Sequence, residues 1–294
     1  MEINASVKAS SLRRSISFCN GKPSSGFASF KLLRSSLFRS NTSYSFLSSV
    51  FSCSGSRPRT PIPEEVRKEI INCYKLVEKL GRGAVYFGSA RTKIDHSHYL
   101  QAKELAHDVA LLLDCTSWTG GGPGMMDAAT QGALEAKKPV GCFNIAKEAG
   151  TWVTRYVHPY LATQMYFTCR FFTARKHGLV EAGVRNNVPD RTAFICLPGG
   201  MGTLDELFEV VALKQLDRIG SSFPVPFLIL NYDNFYTDLL KFLTKCEDWG
   251  TVRAGEFESI CHVSTSNLDA LEYLADFYGI SEQDRLFRNR PQNL

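Results

Sequence analysis

The sequence lacks several patterns that would each assign it to a class of protein. None of its nine cysteines belongs to a Cys-x-x-Cys pair. Their odd number and irregular spacing argue against a disulfide framework and against a structural zinc site. Cys142, Cys169 and Cys196 lie in apolar runs, which predicts small buried side chains and a reducing compartment. No apolar run approaches the roughly 18 residues needed to cross a bilayer, so no membrane partner is expected.

Acidic residues are almost absent from residues 1–60. Only Glu2 falls there, beside nine Lys and Arg. The formal charge of +5 therefore belongs to this segment, and the rest of the chain is slightly acidic, so no nucleic-acid partner is expected. The Ser-rich, acid-poor composition predicts an organellar transit peptide for the chloroplast, with a mitochondrial peptide or a disordered cytosolic tail as alternatives. We therefore predict a transit peptide and linker over residues 1–60 and a single folded domain over 61–294.

Two common nucleotide-binding fingerprints are also missing. Neither Gly-x-Gly-x-x-Gly with its ribose-binding acid nor Gly-x-x-x-x-Gly-Lys-Ser/Thr occurs, which disfavours an NAD(P) enzyme and a P-loop NTPase. From Pro63 onwards, strand-like apolar runs alternate with helical patterns of roughly 10–18 residues. This alternation predicts a doubly wound, mostly parallel sheet between two layers of helices, a Rossmann-like α/β/α fold.

Hydrophobic periodicity assigns most of the elements. It predicts helices over 63–80, 98–113, 125–136, 166–182, 235–245 and 268–277, and a further helix that starts at Thr203. It predicts strands over 84–87, 117–119, 139–145, 192–197, 226–230 and 260–263. The irregular segment 146–163 receives no assignment, and residues 186–190 are predicted to form a loop.

Three predicted strands end in turns of small residues, Gly88 to Ala90, Gly120 to Gly124 and Pro198 to Gly202. Because the carboxyl ends of parallel strands lie along one edge of a sheet, these turns should converge on one crevice. Glycine lets the backbone approach a ligand, and the start of the helix at Thr203 suits a phosphate. The pattern predicts a site for a nucleotide or sugar phosphate. The alternative for the last turn is a capping box, in which Thr203 and Glu206 serve only the helix start.

The run Pro198-Gly199-Gly200-x-Gly202-Thr203-x-x-Glu206, together with Arg175-Lys176 and Gly120-Gly121-Gly122-x-Gly124-x-Met126, resembles the LONELY GUY family. Members of this family, often labelled lysine decarboxylase-like, are cytokinin riboside 5′-monophosphate phosphoribohydrolases and related nucleotide 5′-monophosphate nucleosidases. The resemblance covers roughly residues 82–245 and is closer to the bacterial-type branch. Residues 146–163 and the longer loop 183–191 depart from the family pattern, which leaves open whether the base is an N6-modified adenine, another purine or a pyrimidine.

The resemblance implies hydrolysis of the N-glycosidic bond of a nucleoside 5′-monophosphate to free base and ribose 5-phosphate. It implies a homodimer and requires no metal or cofactor. Arg175 and Glu206 would be the catalytic pair. The carboxylate would stabilise an oxocarbenium-like transition state and activate water, and the guanidinium would donate to the phosphate or to the departing base. The substrate-binding residues would be Gly88, Ser89, Gly121, Gly122, Lys176, Gly199, Gly200, Gly202 and Thr203.

Other functions are compatible with the same fold. One alternative is a non-catalytic nucleotide- or cofactor-binding protein, in which Arg175 and Lys176 lie on a solvated helix face. A pyridoxal phosphate-dependent decarboxylase is disfavoured, since no lysine is placed for a Schiff base with an acidic partner for the ring nitrogen. His177 is expected to be exposed and non-catalytic. Asp205 is expected to complement the helix dipole, and Glu209 to share the face of Glu206.

Overall fold

The computed structural model describes residues 63–148, 151–152 and 161–289. All of them belong to one compact unit, Arg57–Leu294. The segment predicted as a transit peptide lies outside the described residues. Within the described ranges, none of the helices combines the length and the apolar character that crossing a bilayer requires.

Nine strands and eight α-helices make up the described part of the chain. The strands are β1 Gly83–Phe87, β2 Thr116–Thr119, β3 Val140–Ile145, β4 Lys147–Glu148, β5 Thr151–Trp152, β6 Tyr166–Cys169, β7 Ala193–Cys196, β8 Phe227–Leu230 and β9 His262–Ser264. The helices are α1 Pro63–Leu80, α2 Ser97–Leu113, α3 Met125–Glu135, α4 Phe172–Gly183, α5 Met201–Gln215, α6 Thr237–Asp248, α7 Glu256–Ile260 and α8 Asn267–Phe277.

Seven of these strands form one parallel sheet in the order β6-β3-β2-β1-β7-β8-β9. β4 and β5 form a separate antiparallel pair. The chain builds outward from β1 through β2, β3 and β6, and then returns to place β7 on the other side of β1. The strand order therefore reverses between β1 and β7, which is the position at which open α/β sheets bind ligands. The predicted doubly wound fold is confirmed.

The sheet is buried on both faces. Along β1 the side chains alternate: Ala84 and Tyr86 join a core with α2, α3 and α8, whereas Val85 and Phe87 join a second core with α1, α4 and α5. This alternation follows from the two-residue period of a strand. Two apolar cores on opposite faces give the predicted three layers and hold the strand ends rigidly.

The predicted helix over 166–182 is wrong in its first turn. Tyr166–Cys169 is the edge strand β6, paired in parallel with Cys142–Ile145 of β3, and α4 begins only at Phe172. Aromatic and β-branched residues favour a strand when an open sheet edge is available, and local periodicity does not report that edge. The short helix α7 was not predicted, and the last strand begins at His262 instead of residue 260.

The long loop after α4 lies at the amino end of β7, the sheet edge opposite the glycine turns. Arg185 organises it by donating to the backbone carbonyls of Asp190, Val188 and Pro224 at 2.8, 3.3 and 2.9 Å. The same guanidinium lies over the ring of Tyr278, 5.0 Å from its centroid. This loop is thus separated from the sheet edge that carries the glycine turns.

Candidate active site

The three glycine turns meet at the carboxyl edge of the sheet, as predicted. The backbone N–H of Ser89 donates to the carbonyl of Pro198 at 3.1 Å, and the N–H of Met125 donates to the carbonyl of Ser89 at 2.8 Å. The turn after β1 therefore lies between the turns after β2 and β7. This contact places the glycine turns at the reversal point between β1 and β7.

The turn after β2 makes room for two side chains. A Cβ at Gly120 would collide with the Arg175 Nη2 atom, and a Cβ at Gly121, which has φ +68°, would collide with the Asn144 side-chain oxygen. Gly122 is packed in the same way against the end of Met126. The structure therefore gives these glycines a packing reason that is independent of the substrate contact predicted for Gly121 and Gly122.

The turn after β7 is open, whereas the turn after β2 is crowded. A Cβ at Gly200 or Gly202 would meet no atom within 4 Å, and both residues are exposed. They stand at the start of α5, where the first N–H groups of a helix have no intrahelical partner. Gly199 is different, because its Cβ would collide with the buried side chain of Thr203. An accessible helix N-terminus of this kind binds anions such as phosphate.

The predicted capping box is wrong. α5 begins at Met201, and Gly200 is its N-cap residue without a side-chain cap hydrogen bond. Thr203 is therefore the third residue of the helix, too far along to cap it. The carboxylate of Glu206 instead forms an ion pair with a residue of another helix on the same face of the sheet. A tertiary partner has replaced the local hydrogen bond that the sequence pattern suggests.

That partner is Arg175, which lies on α4. Its Nη1 donates to Glu206 Oε1 at 2.8 Å, and its Nε donates to the Phe143 carbonyl of β3 at 3.0 Å. Its Nη2 lies 4.0 Å from the Met126 sulfur, a weak acceptor. Arg175 is 8% exposed and Glu206 6% exposed. The alternative in which Arg175 lies on a solvated helix face is therefore wrong.

Burial sets the acid–base character of this pair. It raises the pKa of the Glu206 carboxyl, and the nearby Asp205 and Glu209 raise it further. Arg175 and Lys176 oppose the shift, but the pKa stays above the usual carboxyl value. A carboxyl group shifted in this way can exchange a proton closer to neutral pH than an exposed glutamate can.

Lys176 is engaged by two carboxylates. Its Nζ lies 3.1 Å from Asp205 Oδ2 and 3.2 Å from Glu209 Oε2. Burial lowers the pKa of this ammonium, and the hydrogen bonds to Asp205 and Glu209 raise it by more, so the net shift is upward. Asp205 thus serves as an ion-pair partner for Lys176, beyond the dipole role predicted for it. A Schiff-base lysine must be neutral to react, and Lys176 is stabilised in its charged form. His177 is exposed, as predicted.

Three residues that surround the pair or support the helix carrying Arg175 were not identified from the sequence. Asn144 stands at the carboxyl end of β3, and a polar residue closing an apolar strand is the signal that could have found it. The exposed ring of Phe172 has its centroid 5.4 Å from Arg175 Cζ. The buried carboxylate of Glu69 on α1 accepts from the backbone N–H groups of Arg170 and Phe171 at 2.9 and 3.1 Å. Glu69 therefore fixes the start of α4, the helix that carries Arg175.

The sheet order, the glycine turns and the buried pair define a Rossmann-type α/β protein with an anion-suited site at its switch point. Residues 126–274, about half of the chain, match the family model described as "Possible lysine decarboxylase". The chain belongs to this family, and the resemblance inferred from the glycine motif is confirmed.

Two curated plant relatives illustrate the match. The probable cytokinin riboside 5′-monophosphate phosphoribohydrolase LOGL2 of Oryza sativa subsp. japonica is 46% identical over 61 residues, 21% of this chain and 23% of that protein. The cytokinin riboside 5′-monophosphate phosphoribohydrolase LOG2 of Arabidopsis thaliana is 41% identical over 86 residues, 29% of this chain and 38% of that protein. The matched regions thus span less than two fifths of either relative.

Among solved structures, the molybdenum cofactor carrier protein of Chlamydomonas reinhardtii is similar in overall fold. It is 16% identical, with a TM-score of 0.44, and the match covers 68% of this chain and 99% of that one.

Proposed function

We propose that the protein hydrolyses the N-glycosidic bond of a nucleoside 5′-monophosphate, releasing the free base and ribose 5-phosphate. The observation that carries this proposal is the buried Arg175–Glu206 pair, joined at 2.8 Å beside the open start of α5. Similarity to relatives named cytokinin riboside 5′-monophosphate phosphoribohydrolases supports it. Those names make an N6-modified adenine nucleotide the first substrate to test.

In this reaction the 5′-phosphate binds the backbone N–H groups at the start of α5, over Gly200 and Gly202. The sugar then lies next to Glu206, which stands one turn further along the same helix. Its carboxylate stabilises the positive charge that develops at C1′ as the C–N bond breaks. The electron pair of that bond leaves with the base.

Water is the nucleophile that forms the new bond to C1′. Its oxygen attaches to C1′, one of its protons passes to Glu206, and a proton is returned to the departing base. The raised pKa of Glu206 suits both transfers. Arg175 holds the carboxylate in place through the 2.8 Å hydrogen bond and offers its Nη2 to the substrate. No group other than water and these side chains is needed to balance the reaction.

We further propose that the active form is a homodimer located in the chloroplast. The dimer is a property of the family that the resemblance implies. The Ser-rich, acid-poor composition of residues 1–60 supports the location. Sedimentation of the purified protein tests the dimer, and uptake by isolated chloroplasts compared with mitochondria tests the location.

The activity is tested with the full chain and a panel of nucleoside 5′-monophosphates. The panel includes AMP, GMP, CMP, UMP and N6-isopentenyl-AMP, with the matching 5′-hydroxyl nucleosides as controls. We expect equal amounts of base and ribose 5-phosphate from at least one nucleotide and none from its nucleoside, because the phosphate anchors the substrate. Tight nucleotide binding without turnover of any member would instead support the non-catalytic alternative.

A further inference from the structure

Phe172 is an aromatic residue at the first position of α4 and is 41% exposed. α4 follows β6, whose carboxyl end lies at the same sheet edge as the glycine turns. The first turn of α4 therefore lies at the carboxyl edge of the sheet. The Phe172 ring contacts two residues of the next turn, Arg175 and Lys176. Single exposed aromatic rings are common on protein surfaces, so the position of this ring matters more than its exposure.

The ring lies directly beside the proposed catalytic pair. Its centroid is 5.4 Å from Arg175 Cζ and 5.6 Å from Lys176 Nζ, both within the range of a cation–π contact. Arg175 in turn touches Glu206 at 2.8 Å. The ring is thus separated from the carboxylate by the width of one guanidinium group.

The orientation of the proposed substrate follows from two fixed points. The phosphate is anchored at the start of α5, and C1′ lies at Glu206. The base, bonded to C1′, extends on the far side of Glu206 from the phosphate. Arg175 contacts Glu206, and Phe172 on the first turn of α4 contacts Arg175, so we assign these groups to that side. A flat aromatic base needs a flat apolar surface there, and Phe172 provides one.

We propose that Phe172 is the stacking surface for the base and so a specificity-determining residue of this site. The proposal rests on the proposed function for the orientation of the nucleotide. It also assigns the substrate contact of Arg175: the guanidinium lies under the base. Its Nη2, which packs against Gly120 and lies 4.0 Å from the weakly accepting Met126 sulfur, donates to the base instead of the phosphate. Purines, which offer the larger ring surface, are then preferred over pyrimidines.

The test measures the dissociation constants of AMP, adenine and ribose 5-phosphate by calorimetry on the full chain. Every protein compared, including the one with Phe172 unchanged, carries Glu206→Gln so that AMP is not hydrolysed during the titration. Phe172→Leu keeps an apolar side chain but removes the ring. We expect the affinities for AMP and adenine to fall at least about 5-fold, the lower end for loss of one base–aromatic stack, while the affinity for ribose 5-phosphate stays within about twofold. Phe172→Tyr should retain wild-type affinity for all three.

Phe242→Leu is the matched control, since Phe242 is also exposed but lies on α6, and it should alter none of the constants. The proposal is overturned if Phe172→Leu binds AMP and adenine like wild type, or if ribose 5-phosphate affinity falls in parallel with them. Failure of the proposed function looks different: wild-type protein then binds AMP but releases no base from any nucleotide. Thermal unfolding of each variant confirms that the fold is intact.

Discussion

Glu206 is more than nine-tenths buried, yet its carboxylate has a charged partner in Arg175, whose Nη1 lies 2.8 Å from Glu206 Oε1. The two residues come from different helices that pack on the same face of the sheet. Burial of a charged pair has a large desolvation cost. A pair retained at the switch point of the sheet therefore indicates a site built for chemistry, since a pair of apolar side chains would stabilise the fold at least as well.

The pH dependence of kcat/KM should report Glu206. The Glu206 carboxyl must be ionised to accept a proton from water, so activity falls as the pH drops through the pKa of Glu206. Because that pKa is raised, we expect kcat/KM to fall on the acidic side at a pH above the usual range of carboxyl pKa values. Asp205→Asn removes a negative charge that raises the pKa of Glu206. It also leaves Lys176, whose charge lowers that pKa, with Glu209 as its remaining carboxylate partner. The pH at which kcat/KM falls on the acidic side should therefore be lower in this variant. An unchanged or higher pH would contradict the assignment to Glu206.

Two glycine substitutions should separate packing from ligand contact. Gly202→Ala adds a methyl group into open space, so stability should be unchanged or higher by up to about 1 kcal/mol. The KM for the nucleotide should nevertheless rise at least about fivefold, because the methyl group occupies the phosphate position and weakens its hydrogen bonds. An unchanged KM would remove Gly202 from the binding site.

Gly120→Ala should instead lower both the stability of the protein and its kcat. Its Cβ would collide with the Arg175 guanidinium, which has to move away from Glu206. We expect a loss of stability of about 1–3 kcal/mol in urea denaturation, and a fall in kcat. Wild-type kcat in this variant would show that the observed Arg175–Glu206 contact is not needed for turnover.

Glu69 should couple the stability of α4 to activity. Both carboxylate oxygens of Glu69 accept hydrogen bonds, Oε2 from two backbone N–H groups and Oε1 from Arg170 Nε at 2.8 Å. Glu69→Gln therefore turns an amide NH₂ towards a donor in either orientation. We expect a loss of about 1–3 kcal/mol in the free energy of unfolding, together with a lower kcat, since α4 carries Arg175. Glu65→Gln is the control: Glu65 is half-buried, and its Oε1 makes only a distant ion pair with Arg170 Nη2, at 4.0 Å. Its substitution should change neither quantity measurably. Equal effects of the two substitutions would contradict the role of Glu69.

Much of the fold follows from local sequence, because a two-residue or 3.6-residue period reports which face of each element is buried. The helix over 63–80 and the strand ending at Phe87 were predicted within one residue of the structure. Tyr166–Cys169 was not, because its strand depends on the free edge of β3. Thr203 and Glu206 fit a capping pattern locally, but the partner that decides the position of Glu206 is 31 residues away.

The candidate site likewise contains residues that the local sequence predicts and residues that it does not. The glycine turns were visible as small residues after apolar strands, and Arg175 and Glu206 were paired only through the resemblance to a known family. Glu69 gave no signal, since its hydrogen-bond partners lie 101 and 102 residues further along the chain. Contacts between distant segments are set by packing, which periodicity alone does not encode.

The central claim is that Glu206 performs the chemistry on a nucleotide held elsewhere, and Glu206→Gln tests it most directly. With the best substrate of the panel, base release should fall about 100-fold or more, while the dissociation constant for the nucleotide changes less than about threefold. Glu209→Gln, one turn further along α5, should retain kcat within about threefold. Wild-type base release by Glu206→Gln would contradict the account, as would an equal loss in both variants.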